Sequence, residues 1–578
     1  MKRLLKYMKQ YRTEAIIGPL FKWLEALFEL LVPLVVARLI DGAIPSGSES
    51  AVVQLCLVLC ALGAVGLASS LTAQYFAAKA ATGFAANVRG AMFSHMQSLS
   101  YTELDRIGSA TMVARMTDDL AKLQNGVNMF LRLFLRSPFV VFGAMAMAMS
   151  VNFRVSLVFA AVIPVLFVVV TIIMKLTIPM YKRVQEKSDG LFRLTGENIT
   201  GVRVIRALGM GEGEREKFAE ENSTLAALQI AAGRVSSLMN PLTYIVINGA
   251  MIILIHSGAV RVNVGGLSQG EVIALVNYMS QILVELIKLA NLIITVTRAL
   301  ACAGRISDFL GTPTEKSELA VAPADGDADA SDDVVFDHVT FTYPDAASPS
   351  LEDVSFRIKH GGTLGIIGPT GSGKTTLVNL IPRYYDATSG SVCVLGHNVK
   401  SLDPAELRRK IGVVEQRAQI LSGSVRYNLT LGREGEHVPD EELWHALHVA
   451  QAEEFVRSKD GGLDAELYRG GRNLSGGQRQ RINIARAVAK SPDIIILDDS
   501  SSALDYATDA ALRREIAGMC DVCTIIVSQR AAALSGADQI LVLDDGHAVG
   551  LGTHDELLRD CPVYGEICRS QGIGGDAV

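Results

Sequence analysis

The 578-residue chain has no surplus of positive charge: 54 Lys and Arg stand against 60 Asp and Glu, for a net charge of −6. That balance gives no case for nucleic acid as a bulk partner. It has no cysteine framework either. Its eight cysteines lie scattered at 56, 60, 302, 393, 520, 523, 561 and 568. Six of them fall in or near the half expected in the cytosol, so free thiols are expected. Cys520 and Cys523 form an isolated C-x2-C with no second pair, which reads as chance spacing rather than a metal site. A cleavable leader is not expected: residues 1–12, MKRLLKYMKQYR, are basic and amphipathic, and no small-residue cleavage site follows a short apolar core. They read as a helix on the inner membrane surface, with Lys2, Arg3, Lys6, Lys9 and Arg12 toward anionic headgroups.

What the chain does have is apolar length. Hydrophobic residues make up 49% and the mean hydropathy is +0.30. That is too apolar for an ordinary soluble enzyme, and the chain is long enough for two or more domains. A helix needs roughly 20 residues to cross about 30 Å of hydrocarbon. Six stretches qualify, near 15–40, 51–80, 130–151, 155–175, 241–260 and 270–297. An even count behind a basic N-terminus places both chain ends in the cytosol. Residues 81–129 and 176–240 then lie inside, polar but helically periodic, and read as helices continuing past the membrane. Short loops at 41–50, 152–154 and 257–269 lie outside.

Ionisable residues interrupt these spans. Glu25 and Glu29 share one helical face with Lys22, and Glu285 lies three residues before Lys288. Charge in hydrocarbon is expensive, so these groups are expected to face the bundle interior or to pair. They are candidates for a transport path, and structural pairing is the alternative. Pro33, Pro138 and Pro164 read as tolerated kinks.

Residues 311–332, rich in Ala, Asp and Pro, read as a linker between a membrane domain over 1–310 and a soluble domain over 333–578. Beyond it, short β-rich runs alternate with helical stretches, the pattern of an α/β domain. Within it the apolar run Leu364 to Ile367 leads into Gly368-Pro369-Thr370-Gly371-Ser372-Gly373-Lys374-Thr375, followed by Thr376. Such a glycine-rich turn between strand and helix aims backbone N–H groups at phosphate oxygens; Lys374 can reach the β/γ phosphates and Thr375 can hold Mg²⁺. Ile494 to Asp498 is an apolar strand ending in the expected Mg²⁺ partner, Asp498. The cofactors implied are ATP and Mg²⁺.

Residues 474–478 read Leu-Ser-Gly-Gly-Gln, directly before an Arg-rich helix. With the phosphate loop, the IIILD strand and six preceding spans, the chain resembles a bacterial ABC exporter half-transporter over nearly its whole length. The resemblance implies an all-α six-helix transmembrane domain of the type I exporter fold, also called type IV, followed by an α/β P-loop ATPase domain. It implies that Tyr343 stacks on adenine and that Gln416 touches Mg²⁺ and senses the membrane domain. It implies that Ser475, Gly476, Gly477 and Gln478 bind the ATP held by a second subunit, and that Ser502 to Asp505 run between the two nucleotide sites. Segments near 100–118 and 200–212 look like coupling helices that rest on ATPase domains.

Three departures from the family pattern carry information. Asp499 stands where the family's working site has the Glu that handles the attacking water. Gln529 stands in place of the switch histidine. Tyr468-Arg469-Gly470-Gly471 stands where exporters commonly have Gly-Glu-Arg-Gly. Asp is one methylene shorter than Glu, and Gln carries neither proton nor positive charge. The chain therefore resembles the degenerate-site subunit of heterodimeric multidrug-type exporters. Its own site would bind ATP and cut it slowly, and its signature would complete a competent partner's site. Two alternatives remain: a homodimeric lipid or peptide exporter with slow ATPase, and a membrane nucleotide sensor that transports nothing. The absence of a protease-like domain before the first span weakens the peptide-processing version.

Overall fold

The computed structural model describes residues 2–315, 331–344, 346–433, 435–500, 503–519 and 521–573. Most of the expected linker, Ser502 and Cys520 lie outside the described residues. The chain forms two compact units: residues 1–94 with 110–311, and residues 95–109 with 312–578.

The first unit is helical. Its main elements are α1 (Arg12–Arg38), α2 (Glu49–Met96, of which 95–96 pass to the second unit), α4 (Leu120–Leu133), α5 (Arg136–Val151), α6 (Phe153–Thr200), α7 (Val202–Ala207), α8 (Gly211–Ser237), α9 (Met239–Asn263) and α10 (Gln269–Phe309). The helix α3 (Tyr101–Ile107) belongs to the second unit. Among the described residues, five helices are long and apolar enough to cross a membrane by length and composition; they contain the last five of the six expected spans. The first expected span lies in α1, which is long enough, but any stretch of 18 residues within it holds Lys22, Glu25 and Glu29. Its buried residues, Gly18, Lys22, Ala26, Leu30, Pro33 and Ala37, step by three or four and mark one inward stripe.

Local chemistry sets the ends and irregularities. Asn152 alone separates α5 from α6, and its side chain accepts from the Val155 N–H at 3.2 Å as an N-cap. Ser268 and Glu271 form a capping box at the start of α10. Asp41 reinforces that end, accepting from Ser268 Oγ at 2.5 Å and from the Gly270 N–H at 2.7 Å. Pro33 removes the N–H that would serve the Glu29 carbonyl, and Gln281 Nε2 donates to that carbonyl at 3.4 Å instead. One expectation needs correcting. Residues 257–263 are not loop but the last two turns of α9. Gly258 is buried there because a Cβ would come within 2.9 Å of Val272, so close packing against α10 keeps this polar-tinged stretch helical.

The second unit is α/β. A six-stranded sheet runs in the order β12 (His547–Gly552), β11 (Gln539–Asp544), β3 (Thr363–Ile367), β10 (Cys523–Val527), β9 (Ile494–Asp498), β6 (Ile411–Val414). All pairs are parallel except β11–β12. A separate antiparallel pair joins β7 (Gly423–Ser424) and β8 (Glu466–Leu467). The central strands are buried along their length, as a parallel sheet covered on both faces requires. A four-stranded antiparallel sheet, β2 (Leu351–Lys359), β1 (Asp332–Phe341), β4 (Ser389–Val394), β5 (His397–Asn398), packs around the helix that follows β3, α11 (Lys374–Leu380). A second core gathers around α12 (Gly476–Val488).

The 95–109 segment is tied into this unit by aromatic and ionic contacts. Tyr101 stacks on Tyr384 with ring centroids 4.3 Å apart, and the Arg408 guanidinium lies 5.4 Å from each ring. Tyr385 Oη donates to Asp105 at 2.5 Å. Arg408 also holds Glu315 at 2.6 Å, and the Glu315 N–H donates to the Ser98 carbonyl at 3.0 Å.

Candidate functional site

The sheet order brings the chemistry together. β3, β10 and β9 are adjacent, with Val527 level with both Ile366 and Asp498. The segments leaving their C-terminal ends therefore converge: the phosphate loop after β3, Asp499 after β9 and Gln529 after β10. Ligand sites of open α/β sheets form at this edge. A cleft of about 430 Å³ opens there. Its walls include Thr370, Gly371, Gly373, Lys374, Thr375, Thr376, Gln416, Asp498, Asp499 and Gln529.

The loop holds its shape through glycine. Gly371 and Gly373 sit at φ +88° and +94°, and a Cβ on Gly373 would press to 2.7 Å from the Ser350 carbonyl. Lys374 Nζ folds back on the loop and donates to the Gly368 carbonyl at 2.9 Å, the Pro369 carbonyl at 2.6 Å and Ser372 Oγ at 3.3 Å. Burial draws its pKa below the ordinary lysine value, and the nearby Asp498 and Asp499 oppose that. Burial and the like charge of Asp499 hold the Asp498 carboxyl above the usual range, against a hydrogen bond with Thr375. Asp499 takes a left-handed backbone, φ +45°, with its N–H on the Val527 carbonyl at 3.0 Å. Asp tolerates that region better than most residues. Gln416 Nε2 donates to Asp499 Oδ2 at 3.3 Å.

Other sequence candidates lie elsewhere. Tyr343 is not in the cleft wall: its hydroxyl is 3.2 Å from Thr376 Oγ1, and its ring packs edge-on against Phe341 and Tyr385. Ser475 caps α12, accepting from the Gln478 N–H at 3.2 Å, while Gln478 Oε1 accepts from the Ser475 N–H at 3.0 Å. Gly476 and Gly477 open that helix, and none of residues 475–478 lines the cleft. Sequence reasoning passed over Asp545 and Gly546, which do line it. Their signal was the Asp-Gly pair between two apolar runs; both residues have positive φ, as the tight turn between β11 and β12 demands.

Residues 15–286 match the family described as ABC transporter transmembrane region, and residues 351–502 match the one described as ABC transporter. The chain belongs to the ABC transporters. Among its relatives is the ABC transporter ATP-binding protein Rv1273c of Mycobacterium tuberculosis, 35% identical over 99% of this chain and 98% of that protein. Another is YfiB of Bacillus subtilis, 32% identical over 99% and 98%. A solved bacterial Atm1-family ABC exporter with ATP bound shares the fold, with a TM-score of 0.83 over 98% of this chain and 99% of that one, at 20% identity. The transporter is thus a fused membrane and ATP-binding half-transporter of the bacterial exporter type, with an ATPase domain that drives transport across a membrane.

The three acidic residues singled out within the spans of the transporter meet in the first unit around a residue that the sequence did not flag. Arg136, 7% exposed, donates from Nη1 to Glu285 at 2.5 Å and from Nη2 to Glu29 at 2.6 Å, with Glu25 at 3.9 Å. Ser137 Oγ and Lys288 Nζ each donate to Glu285 at 2.8 Å. Lys22 pairs with Glu25 at 2.6 Å and donates to Ser70 Oγ at 3.2 Å. Lys22, Arg136 and Lys288 thus balance Glu25, Glu29 and Glu285. Glu285 is enclosed at 3% side-chain exposure, whereas Glu29 keeps an open face at 41%.

Proposed function

We propose that the transporter is one half of an unequal pair exporting amphipathic compounds across the bacterial plasma membrane, with its ATPase domain in the cytoplasm. Its own site holds ATP and cuts it slowly, and its Ser475–Gln478 turn serves ATP bound to a competent partner subunit. The observation that carries this reading is the cleft wall opposite Lys374. The carboxylate there is Asp499, one methylene short, and the adjacent strand end presents Gln529. A setback of about 1 Å in a water-orienting group can cost roughly 10²-fold in rate. Gln529 can donate to a terminal phosphate oxygen but cannot carry a proton away. The phosphate loop departs nowhere from the pattern that binding needs.

Mg²⁺ fits this site by donor chemistry: the Thr375 hydroxyl, the Asp498 carboxylate and the Gln416 amide oxygen are hard oxygen ligands. When bound, the ion supplies charge neutralisation at the phosphate oxygens. A cation there also relieves the crowding of Asp498 by Asp499. Lys374 lies on the loop carbonyls, so a phosphate must draw it off them. Tyr343, outside the cleft wall and only partly buried, is the ring proposed to stack on adenine. Glu29, open on one side, is the best placed of Glu25, Glu29 and Glu285 to meet cargo.

The test is ATPase and transport in proteoliposomes, first with this chain alone and then with its partner. Little turnover alone and robust turnover in the complex are expected. In the complex Asp499→Asn should cost less than about threefold, while removing the partner's catalytic Glu should nearly abolish turnover. A lone chain that hydrolyses ATP steadily and loses that activity with Asp499→Asn is instead a slow homodimer.

A further inference from the structure

The segment carrying Gln529 is fastened by a residue from the far end of the chain. The Gln571 carboxamide lies across two backbone groups of that segment: Nε2 donates to the Gln529 carbonyl at 2.7 Å, and Oε1 accepts from the Ala531 N–H at 2.8 Å. Only one orientation of the amide satisfies both, because the flipped form sets oxygen against oxygen.

Gln571 is itself held rigidly. It ends the helix α13 (Pro562–Ser570), whose Tyr564 and Cys568 are fully buried with Ala531, Leu534 and Ile367, the residue just before the phosphate loop. The helix closes in a Schellman turn: Ile573 N–H to Cys568 O at 2.9 Å, Gly572 N–H to Arg569 O at 3.1 Å, and Gly572 at φ +72°. Ile573 packs on the same core. Farther along the segment, Arg513 donates to the Ala532 carbonyl at 3.3 Å, and the Arg530 guanidinium lies over Tyr506 at 4.8 Å. The clamp by Gln571 falls on the peptide that aims Gln529 into the cleft.

We propose that Gln571 is a positioning residue that sets how strongly this cleft prefers a triphosphate to a diphosphate, acting through the backbone of Gln529. This rests on the reading that Gln529 meets the terminal phosphate. A diphosphate lacks that phosphate, so loosening Gln529 should weaken triphosphate binding and leave diphosphate binding alone. A merely structural role for Gln571 would weaken both.

The experiment measures equilibrium affinities of the purified full-length chain in detergent for AMP-PNP and for ADP. The variants are Gln571→Met, Gln571→Glu, Gln529→Ala and the double Gln529→Ala/Gln571→Met. Gln571 is exposed, so the fold should tolerate both of its replacements. Gln571→Met loses both hydrogen bonds, and its AMP-PNP affinity relative to ADP should fall about three- to tenfold. Gln571→Glu keeps the acceptor for Ala531 but turns an oxygen on the Gln529 carbonyl, and should fall with it. The double variant should be no worse than Gln529→Ala, since the two residues act as one unit. Equal losses for both nucleotides, or additive losses in the double variant, overturn the inference. If Gln529→Ala lowers the ratio and Gln571→Met does not, the inference alone fails. If Gln529→Ala leaves the ratio unchanged, the reading of Gln529 fails and takes the inference with it.

Discussion

The transporter concentrates charge in two places, and the two are built on opposite terms. Around Arg136 three cations meet three carboxylates, and each carboxylate has a cation beside it. In the nucleotide cleft Asp498 and Asp499 are neighbours of like charge, and Lys374 is bound, among the described residues, to backbone carbonyls and a hydroxyl. A charge-balanced network holds helices together. An open set of donors and crowded acids is a site waiting for phosphate and a cation. Removing a member should therefore cost stability in the first place and affinity in the second.

The largest effect on stability belongs to Arg136→Met. It leaves Glu285, at 3% exposure, with the Ser137 hydroxyl and the solvent-screened Lys288, and takes Glu29 out of its pair. Breaking a buried pair from one side costs about 3–5 kcal/mol, read as a fall in thermal midpoint in detergent. Adding Glu285→Leu and Glu29→Gln should recover part of it, because the two carboxylates that lost Arg136 are then uncharged. A midpoint that stays put after Arg136→Met would mean the cluster is wet and open, like the cleft. Next comes Lys374→Met. ATP affinity should fall on the order of 100-fold, since charge-assisted bonds to phosphate contribute about 1.5–3 kcal/mol each. Without nucleotide the same variant should unfold no more easily than the parent. Lys374 bonds to loop carbonyls and a hydroxyl rather than to a carboxylate, so its loss breaks no ion pair in the phosphate loop. A large drop in nucleotide-free stability would erase the distinction between the two regions.

The cleft was more legible in the sequence than the network, and the reason is distance along the chain. Gly368–Thr375 is one contiguous turn and Asp498 ends an apolar strand, so local pattern marked both, while the family resemblance marked Gln529. Arg136 lies 107 residues from Glu29 and 149 from Glu285, in a different helix from either. Sequence showed only two arginines, Arg132 and Arg136, in the first turns of the third expected span. The Lys22–Glu25 and Glu285–Lys288 pairs were legible because three-residue spacing on a helix makes neighbours. Tyr343 teaches a different limit. Its position on the chain was plain, but its ring direction is set by Phe341 and Tyr385, which no local pattern encodes. The Gln571 clamp was invisible for the same reason as Arg136, since 42 residues separate its partners. Residues 257–263 are expected in an outside loop, yet they continue the helix, with Gly258 packed close against Val272.

Glu29 tests whether the network is closed on all sides. Its carboxylate is 41% exposed, so Glu29→Gln should cost about 1 kcal/mol or less in stability, the range of a partly exposed pair. If the open face meets cargo, the variant should change which substrates are moved while protein abundance stays constant. Equal transport of every tested substrate would assign Glu29 to structure alone.

Lys288 should show the smallest effect, and it decides where the network is centred. Its ammonium reaches Glu285 at 2.8 Å, but its side chain is 41% exposed and spans one helical turn. Glu285 keeps Arg136 and the Ser137 hydroxyl when Lys288 is lost. The carboxylate therefore stays paired, and Lys288→Met removes only a solvent-screened contact contributing below about 1 kcal/mol. The measurement is the same thermal midpoint in detergent, set beside Arg136→Met. A loss from Lys288→Met as large as that from Arg136→Met would move the centre of the cluster from the link between α5 and α10 to a pair within α10. The cluster would then no longer explain how α1, α5 and α10 are held to one another.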